Sequence, residues 1–364
     1  MANVTYLLGA GASANCLPTY VNFFERFRRF GDIFKETNQF YNSLEKTQKN
    51  DVLNIRRIID KILEEFQFHN TPDTIAKKYF HSNLHSPELT ELKEVLILFF
   101  LHQQILKQKE NEKNIGELEF RQPLDKRYDA FLASLLKPIK GKIEPYEQFK
   151  ILTWNYDLQF EIAYSRYLGQ NIPYCQKQLQ SYPSILSDGD QNIDLNKFSI
   201  VHLNGVAYAR GNSSTGHKDF LGSFFNDDQF VLAYLTEVFH SLHTVGIPGE
   251  VGGDKLLSFA WEKQSNDESK IENDILKKAF GIANQTHILV IIGYSFPIFN
   301  NAIDREILQQ MEQLKKIYIQ SPNAADIKNI LLDLTRVGEN KIRDVGYYSQ
   351  FYIPTEWNKQ SNLL

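Results

Sequence analysis

Hydrophobic and polar positions follow two different periods along this chain of 364 residues. From about residue 19 to residue 140, apolar side chains recur every three or four positions, the spacing of amphipathic helices. The clearest patterns cover Tyr20–Glu36, Ser43–Phe68 and Leu89–Lys107, the last of these after the typical helix start Ser86-Pro87-Glu88. The polar run Lys107–Asn114 predicts a solvated turn behind it.

The pattern changes near Phe149, where short β-like runs begin to alternate with helical ones. Like the apolar run Val4–Leu8, the new runs are short and rich in branched or aromatic residues, which is typical of strands in a parallel sheet. We predict strands at Phe149–Thr153, Phe198–His202, Ile288–Ile292 and Ile317–Ile319, and helices up to Leu168, over Phe299–Leu314 and over Asn323–Thr335. Residues 212–228 and 245–253 are rich in Gly, Ser and acidic residues and predict surface loops.

The predicted fold class is therefore α/β, a doubly wound and mostly parallel Rossmann-like sheet with a large helical insertion after the first βα unit. We expect residues 1–20 and 146–340 to form the sheet domain, residues 21–145 the insertion, and residues 341–364 a C-terminal tail. Ligands of such sheets bind at the carboxyl ends of the strands. We therefore expect the functional residues at that edge of the sheet.

The composition indicates the cellular compartment and excludes several kinds of site and partner. The chain has two cysteines, Cys16 and Cys175, so it offers neither a disulfide framework nor the paired cysteines of structural zinc. A cytoplasmic protein is expected, because the sequence shows no secretory leader and no apolar run of membrane-spanning length. The net charge of −4 does not favour direct binding of nucleic acid.

Three weaker signals concern metal binding and a reactive thiol. His240 and His243 are three apart on a predicted helix but lack further ligands, and Asp188 and Asp190 lack the bidentate Glu of a calcium loop. No metal is expected. Cys16 lies just past a glycine-rich loop, where it is either a reactive thiol or a small packing residue.

That loop, Gly9-Ala10-Gly11-Ala12-Ser13, follows the first predicted strand directly. Glycines here allow a tight turn and a close approach of backbone amides to a pyrophosphate, with the positive end of a following helix behind them; a turn without ligand is the alternative. A dinucleotide-binding dehydrogenase carries an acidic residue about 20 positions later. This chain has the helical pattern Tyr20–Glu36 there, which weakens the dehydrogenase interpretation.

Polar motifs follow three further predicted strands. They are Thr153-Trp154-Asn155-Tyr156-Asp157, His202-Leu203-Asn204-Gly205 and Gly293-Tyr294-Ser295-Phe296-Pro297. Because the carboxyl ends of parallel strands meet at one edge, all four motifs are expected to lie together.

In this order the motifs resemble those of the sirtuin superfamily, with its Gly-Ala-Gly-x-Ser loop, Thr-x-Asn-x-Asp segment, His-Gly turn and late Gly-x-Ser turn. The resemblance covers residues 4–20 and 149–325 and leaves out the insertion. This chain lacks zinc cysteines, has Leu203-Asn204 before Gly205, and has Tyr294-Ser295-Phe296-Pro297 after Gly293. These departures resemble bacterial sirtuin-like domains of antiphage defence, of the Thoeris type or the type paired with a HerA-type ATPase, which hydrolyse NAD.

The residues suit cleavage of the bond between nicotinamide and ribose, in which positive charge develops on the sugar. Asn155 can orient water or the ribose, or hold its own turn. Asp157 can accept ribose hydroxyl protons or stabilise the cation, and it can also cap the next helix. His202 can be a general base, although many histidines are buried core residues.

The resemblance also implies a set of NAD-binding residues. Ser13 and the amides of Ala10–Ala14 are expected to hold the pyrophosphate, and Gly293 and Ser295 to meet the adenosine ribose. The alternative for the second pair is a close helix–strand packing turn, with Pro297 starting the next helix. The full expected set is Gly9, Ala10, Gly11, Ala12, Ser13, Thr153, Gly293, Ser295, Ser321 and Asn323.

The expected function is that of an NAD glycohydrolase, which releases nicotinamide and ADP-ribose or cyclic ADP-ribose in antiphage defence. An NAD-dependent protein deacylase and a non-catalytic subunit that binds NAD or ADP-ribose are the alternatives. A homo-oligomer is expected, with a HerA-type ATPase or another defence subunit as a candidate partner.

Overall fold

The computed structural model describes residues 2–82, 86–104, 106–107, 124–139, 142–184, 192–210, 224–225, 228–243, 254–264, 270–346 and 349–358. Within these ranges the structure contains helices, one seven-stranded sheet and three two-stranded sheets. In chain order the strands are β1 (Val4–Leu8), β2 (Leu106–Lys107), β3 (Leu136–Ile139), β4 (Lys142–Pro145), β5 (Phe149–Thr153), β6 (Ser181–Tyr182), β7 (Ser199–His202), β8 (Gly205–Arg210), β9 (Phe224–Phe225), β10 (Asp254–Leu257), β11 (Ile288–Ile292), β12 (Lys316–Gln320) and β13 (Ile342–Asp344).

The main sheet has seven strands in the order β13-β12-β11-β1-β5-β7-β6, and its pairings are all parallel. β1 lies in the middle, with Leu8 opposite Ile292 of β11 on one side and Thr153 of β5 on the other. Every residue of β1, β5 and β11 is buried, as expected for parallel strands covered on both faces. The predicted fold class, a parallel Rossmann-like α/β sheet, is confirmed.

Helices follow or separate the strands. They are α1 (Phe23–Asp32), α2 (Lys46–Glu65), α3 (Pro72–Ser82), α4 (Pro87–Gln104), α5 (Lys126–Leu135), α6 (Gln159–Leu168), α7 (Ile172–Leu179), α8 (Asp228–His243), α9 (Lys270–Asn284), α10 (Asn301–Gln309) and α11 (Ala324–Leu334). Among the described helices, none combines the length and the apolar character needed to span a bilayer.

The chain forms two compact units. Unit 1 contains the main sheet and comprises residues 1–14, 124–206 and 258–364. Unit 2 comprises residues 15–123 and 207–257. Inside unit 2 an aromatic cluster joins α1 to α4, with the rings of Phe23, Phe27 and Phe30 each about 5 to 6 Å from that of Phe99. Helix α8 packs against α2 and α4 in the same unit.

These bounds differ from those predicted. The structure places 124–145 with the sheet, where α5 and the antiparallel hairpin β3–β4 replace the expected helical insertion. Residues 207–257 join the helical unit through α8, and β13 makes residues 342–344 an edge strand of the sheet rather than part of a tail. The differences arise because each segment packs where its apolar face is covered, and sequence order does not specify that partner.

Several predicted helices and strands agree closely with the structure. β5 and β11 have the predicted bounds, and α1, α2, α4 and α6 lie within the predicted helical regions or differ by a few residues. The helix expected over Phe299–Leu314 is shorter, because α10 begins at Asn301 after a turn in which the Asn300 amide donates to the Pro297 carbonyl. Most of the expected loops 212–228 and 245–253, and of the polar run after Lys107, lies outside the described residues.

Candidate functional site

The carboxyl ends of β1, β5, β7 and β11 meet at one edge of the sheet, as predicted. β5 lies on one side of β1 and β11 on the other, so the chain reverses its direction of travel across the sheet at β1. The crevice at such a topological switch point is the usual ligand site of open α/β sheets. The four sequence motifs all follow these strand ends.

The glycines of the first and last motifs pack against each other at the switch point. A Cβ on Gly293 would lie 2.4 Å from the carbonyl carbon of Gly11, and one on Gly9 would lie 2.7 Å from the carbonyl oxygen of Gly293. Gly293 also has a φ of +59°, in the left-handed region that favours glycine. The Gly11 amide donates to the Gly293 carbonyl at 3.0 Å. These glycines therefore hold two loops in backbone contact.

The glycine loop does not lead into an α-helix. A four-residue 3-10 helix, Ala10–Ser13, follows β1, after which the chain leaves unit 1 at Ala14. The prediction of a helix end behind a pyrophosphate is wrong here, because so short a helix aligns too few peptide dipoles. The amides of Gly11 and Ala12 already donate to the carbonyls of Gly293 and Gly9. Ala10 and Ala14 are exposed.

An arginine outside the predicted motifs supports the loop. Arg127, at the start of α5, donates through Nη2 to the carbonyls of Gly11 at 3.2 Å and Ala12 at 2.9 Å. The same guanidinium contacts the buried carboxylate of Asp125 at 2.6 Å and lies over the ring of Phe351. Charge-assisted hydrogen bonds of this kind are strong, so α5 fixes the carbonyl side of the loop.

Ser13 lies at the centre of a buried polar cluster that we call the Ser13 network: Ser13, Tyr128, Asn155 and Asp157. The Ser13 hydroxyl donates to Asp157 Oδ2 at 2.8 Å, accepts from Asn155 Nδ2 at 3.3 Å, and shares a 2.8 Å hydrogen bond with the Tyr128 hydroxyl. Asn155 Nδ2 also donates to the Gly9 carbonyl at 3.0 Å. The structure thus brings two predicted catalytic residues onto the predicted glycine loop.

Asp157 has one contact typical of a helix cap and a raised pKa typical of a functional carboxyl. Its Oδ1 accepts from the Gln159 amide at 3.2 Å at the start of α6, which is a capping contact. Burial raises the pKa of Asp157 to about 6, against the lowering effect of the Ser13 hydrogen bond. A carboxyl with its pKa displaced by desolvation at a sheet edge is a candidate functional group.

His202, at the end of β7, faces a carboxylate that the sequence interpretation did not include. Its Nε2 lies 3.0 Å from Oε1 of Glu161 on α6, and both side chains are almost fully buried. Thr153 on β5 is the strand neighbour of His202 on β7, and the Thr153 hydroxyl accepts from the backbone amide of Asn155 at 3.1 Å. His202 therefore lies on the strand next to the Ser13 network.

A second buried network ties the β5 loop to the β11 loop. The carboxyl of Asp304 on α10 accepts from Trp154 Nε1 at 3.1 Å and from the Tyr294 hydroxyl at 2.6 Å. Asn300 donates to the same tyrosine hydroxyl at 3.0 Å. Burial raises the pKa of Asp304 to about 7. Both aromatic residues belong to predicted motifs, but their shared partner was not predicted.

The remaining predicted ligand residues follow β11 and β12. Ser295 is exposed and precedes Phe296, whose φ of +54° is uncommon for an aromatic residue. Backbone strain of this kind concentrates at functional sites. Ser321 is buried and Asn323 is exposed, and the Asn323 amide lies 3.4 Å from the Ser321 hydroxyl. Because β11 and β12 lie on the opposite side of β1 from β5 and β7, these residues form a separate group at the same edge.

The weaker sequence signals have structural partners. His240 lies 3.2 Å from Asp51 and His243 lies 3.1 Å from Glu94, all in unit 2. Cys16 is buried, as a packing residue would be. Across the described ranges, no group of three or more His, Cys, Asp or Glu side chains is placed to hold a metal ion. Asp188 and Asp190 lie outside the described residues.

Four site residues escaped the sequence interpretation: Tyr128, Arg127, Glu161 and Asp304. Glu161 carried a usable signal, because it lies four residues after Asp157, in the first turn of the helix predicted behind that motif. Tyr128 and Arg127 carried none, since α5 reaches the loop through the tertiary fold. A scan against models of known protein families and a search of curated proteins found no match for this chain.

Proposed function

We propose that this chain is an NAD glycohydrolase with its site at the carboxyl edge of β1, β5 and β7. The observation that carries the proposal is the Ser13 network beside His202. An amide and a desolvated carboxyl follow the end of β5, beside the switch point, and an imidazole lies at the end of the neighbouring strand β7. This is a dinucleotide-binding position, and its groups match what cleavage of an N-glycosidic bond needs.

In the proposed reaction, the bond between C1′ of the ribose and the nicotinamide nitrogen breaks, and its electron pair leaves with nicotinamide. A water oxygen forms the new bond to C1′ and loses a proton, so NAD and water give nicotinamide, ADP-ribose and a proton. Asp157 in its ionised form stabilises the positive charge that develops on the sugar. His202 accepts the proton of the water or of a ribose hydroxyl.

The dinucleotide is proposed to lie across the two loops that Gly11 and Gly293 bring together. Its pyrophosphate would run along the exposed side of the first loop, at Ala10 and Ala14, since two inner amides are already used. The exposed Ser295 is on the second loop, where the adenosine ribose is proposed to bind. Thr153 supports Asn155 through the backbone amide of that residue.

The test is release of nicotinamide from NAD by the purified full chain, beside Asn155→Ala and His202→Ala. Loss of a general base is expected to lower the rate by about 10² to 10⁴-fold. The matched control is Asn50→Ala, because Asn50 is exposed on α2 of unit 2. Release at an unchanged rate in both site variants would refute the assignment of these residues.

A non-catalytic subunit that binds NAD or ADP-ribose is the second candidate. It is favoured by the observation that the Asn155 amide group and the Ser13 hydroxyl already have protein partners. Calorimetric binding of NAD with no nicotinamide release by the wild type, alone or with proteins co-purified from the host, would select this candidate over the enzyme.

A cytoplasmic role in antiphage defence, with a homo-oligomer or a HerA-type ATPase as regulator, is part of the proposal. The chain has two cysteines, Cys16 and Cys175, and so few are in keeping with a reducing compartment. Light scattering at several concentrations tests the oligomer. A fully active monomer at every concentration would contradict regulation by assembly.

A further inference from the structure

In the described part of the chain, the pair formed by Glu161 and His202 leaves one polar atom without a hydrogen-bond partner on each side chain. Glu161 Oε1 meets His202 Nε2 at 3.0 Å. Among the described residues, neither Glu161 Oε2 nor His202 Nδ1 has a hydrogen-bond partner, although both atoms are buried. Buried polar atoms are paired in the large majority of cases. A pair that served packing alone would be expected to satisfy its remaining atoms.

The carboxylate determines which imidazole nitrogen carries the proton. An ionised carboxylate only accepts hydrogen bonds. A neutral imidazole has one N–H, and a hydrogen bond to an ionised carboxylate requires that proton on the nitrogen that faces it, here Nε2. His202 Nδ1 is then a bare lone pair, which is the form that can take a proton from water or from a hydroxyl.

The asparagine two residues after His202 offers a further buried acceptor. Asn204 Nδ2 donates to the Trp154 carbonyl at 3.3 Å, while its Oδ1 has no partner within the part of the chain that the structure describes. Buried polar atoms of this kind are commonly satisfied by a bound water or by a ligand. The end of β7 thus carries two buried polar atoms, His202 Nδ1 and Asn204 Oδ1, that no described residue pairs, and both belong to one predicted motif.

We propose that Glu161 is a positioning residue that holds His202 in the Nε2–H tautomer, so that Nδ1 is the base of the site. The expected effect of Glu161 on turnover rests on the proposed function. The expected tautomer rests on the geometry of the pair alone. Carboxylates that orient a histidine in this way raise the effectiveness of the base without contacting substrate. Glu161 therefore acts through His202.

The first experiment is two-bond 1H–15N correlation NMR of the full chain labelled at histidine, which distinguishes a protonated from a bare ring nitrogen. The His202 signals are assigned by their loss in His202→Asn, among the nine histidines of the chain. The expected wild-type spectrum shows a protonated Nε2 and a bare Nδ1. A wild-type spectrum with the proton on Nδ1 overturns the proposal, whatever the activity.

The second experiment compares Glu161→Gln with the control Glu306→Gln, because Glu306 is an exposed carboxylate on α10. The glutamine can turn its amide N–H toward Nε2 and so favour the other tautomer. We expect kcat for nicotinamide release to fall by about 10² to 10⁴-fold, the size of a general-base contribution. KM should change little, and the control should match the wild type in kcat and tautomer.

The outcomes separate this inference from the proposed function. Unchanged kcat in Glu161→Gln, with His202→Ala inactive, overturns the positioning role while the glycohydrolase stands. A wild type that binds NAD and releases no nicotinamide refutes the glycohydrolase, and the tautomer then decides the role of Glu161 alone. If Glu161→Gln does not fold, the wild-type spectrum still shows which ring nitrogen carries the proton.

Discussion

Replacement of Gly293 by alanine tests whether the two loops at the switch point are held in fixed backbone contact. The added Cβ would lie 2.4 Å from the carbonyl carbon of Gly11 and 2.5 Å from the amide nitrogen of Ala12. Both neighbours are backbone atoms, so no side chain can move aside. The two loops would have to separate by a large part of an ångström.

The expected loss of stability in Gly293→Ala has two parts, and a second glycine of the chain serves as a control that separates them. Gly169, at the end of α6, has a φ of +62° with nothing within 4 Å of its added Cβ. Alanine there costs only the left-handed backbone, about 1–2 kcal/mol. Gly293→Ala adds overpacking of about 1–3 kcal/mol to the same backbone cost, so the total loss of stability is about 2–5 kcal/mol.

Urea unfolding followed by tryptophan fluorescence measures this difference within one unit. The chain has three tryptophans, Trp154, Trp261 and Trp357, and all three belong to unit 1. Gly293→Ala should unfold at clearly lower urea than Gly169→Ala and should also lose nicotinamide release. Equal urea midpoints of unfolding for the two variants would refute this prediction, because the loops at Gly11 and Gly293 would then have separated without loss of stability.

Two further predictions concern pH, again followed by urea unfolding. Burial raises the pKa of Asp304 to about 7 in the folded chain, whereas an unfolded Asp titrates at about 3.9. The free energy of unfolding should therefore fall by about 4 kcal/mol as pH rises from about 4 to about 7. Asp304→Asn should lack this fall, and a fall of the same size in the variant would show that other groups cause it. The Lys150 ammonium donates to the carbonyls of Glu147 and Lys197, and burial lowers its pKa to about 8. Because an unfolded lysine holds its proton up to about pH 10, wild-type stability should rise between about pH 8 and about pH 10. Lys150→Met should flatten that rise, and an unaltered rise in the variant would exclude Lys150 as its source.

The strands of the central sheet could be predicted because their signal is local. Ile288–Ile292 and Phe149–Thr153 are apolar or mostly apolar runs, and each forms a fully buried strand with the predicted bounds. Runs of this kind suit strands that are covered on both faces. The edge strands β6 and β13 have two and three residues, which is too short for any such pattern.

The candidate site could be predicted only in part, for a similar reason. Asn155, Asp157 and His202 each lie at or just after a strand end, so their common edge followed from the parallel sheet. The partners of these residues did not follow from it. Tyr128 contacts Ser13 across 115 positions of sequence, and Asp304 contacts Trp154 across 150.

By itself, the sequence determined the order of the main strands and helices, the glycines at the tight turns, and the strand ends at which polar residues gather. Each of these depends on the backbone preference or on the apolar period of a short stretch. The tertiary structure alone decided that residues 207–257 join unit 2, that the glycine loop uses its amides internally, and that Glu161 faces His202. These outcomes depend on which segment covers each buried face and pairs each buried polar group, and that choice is made by the whole fold.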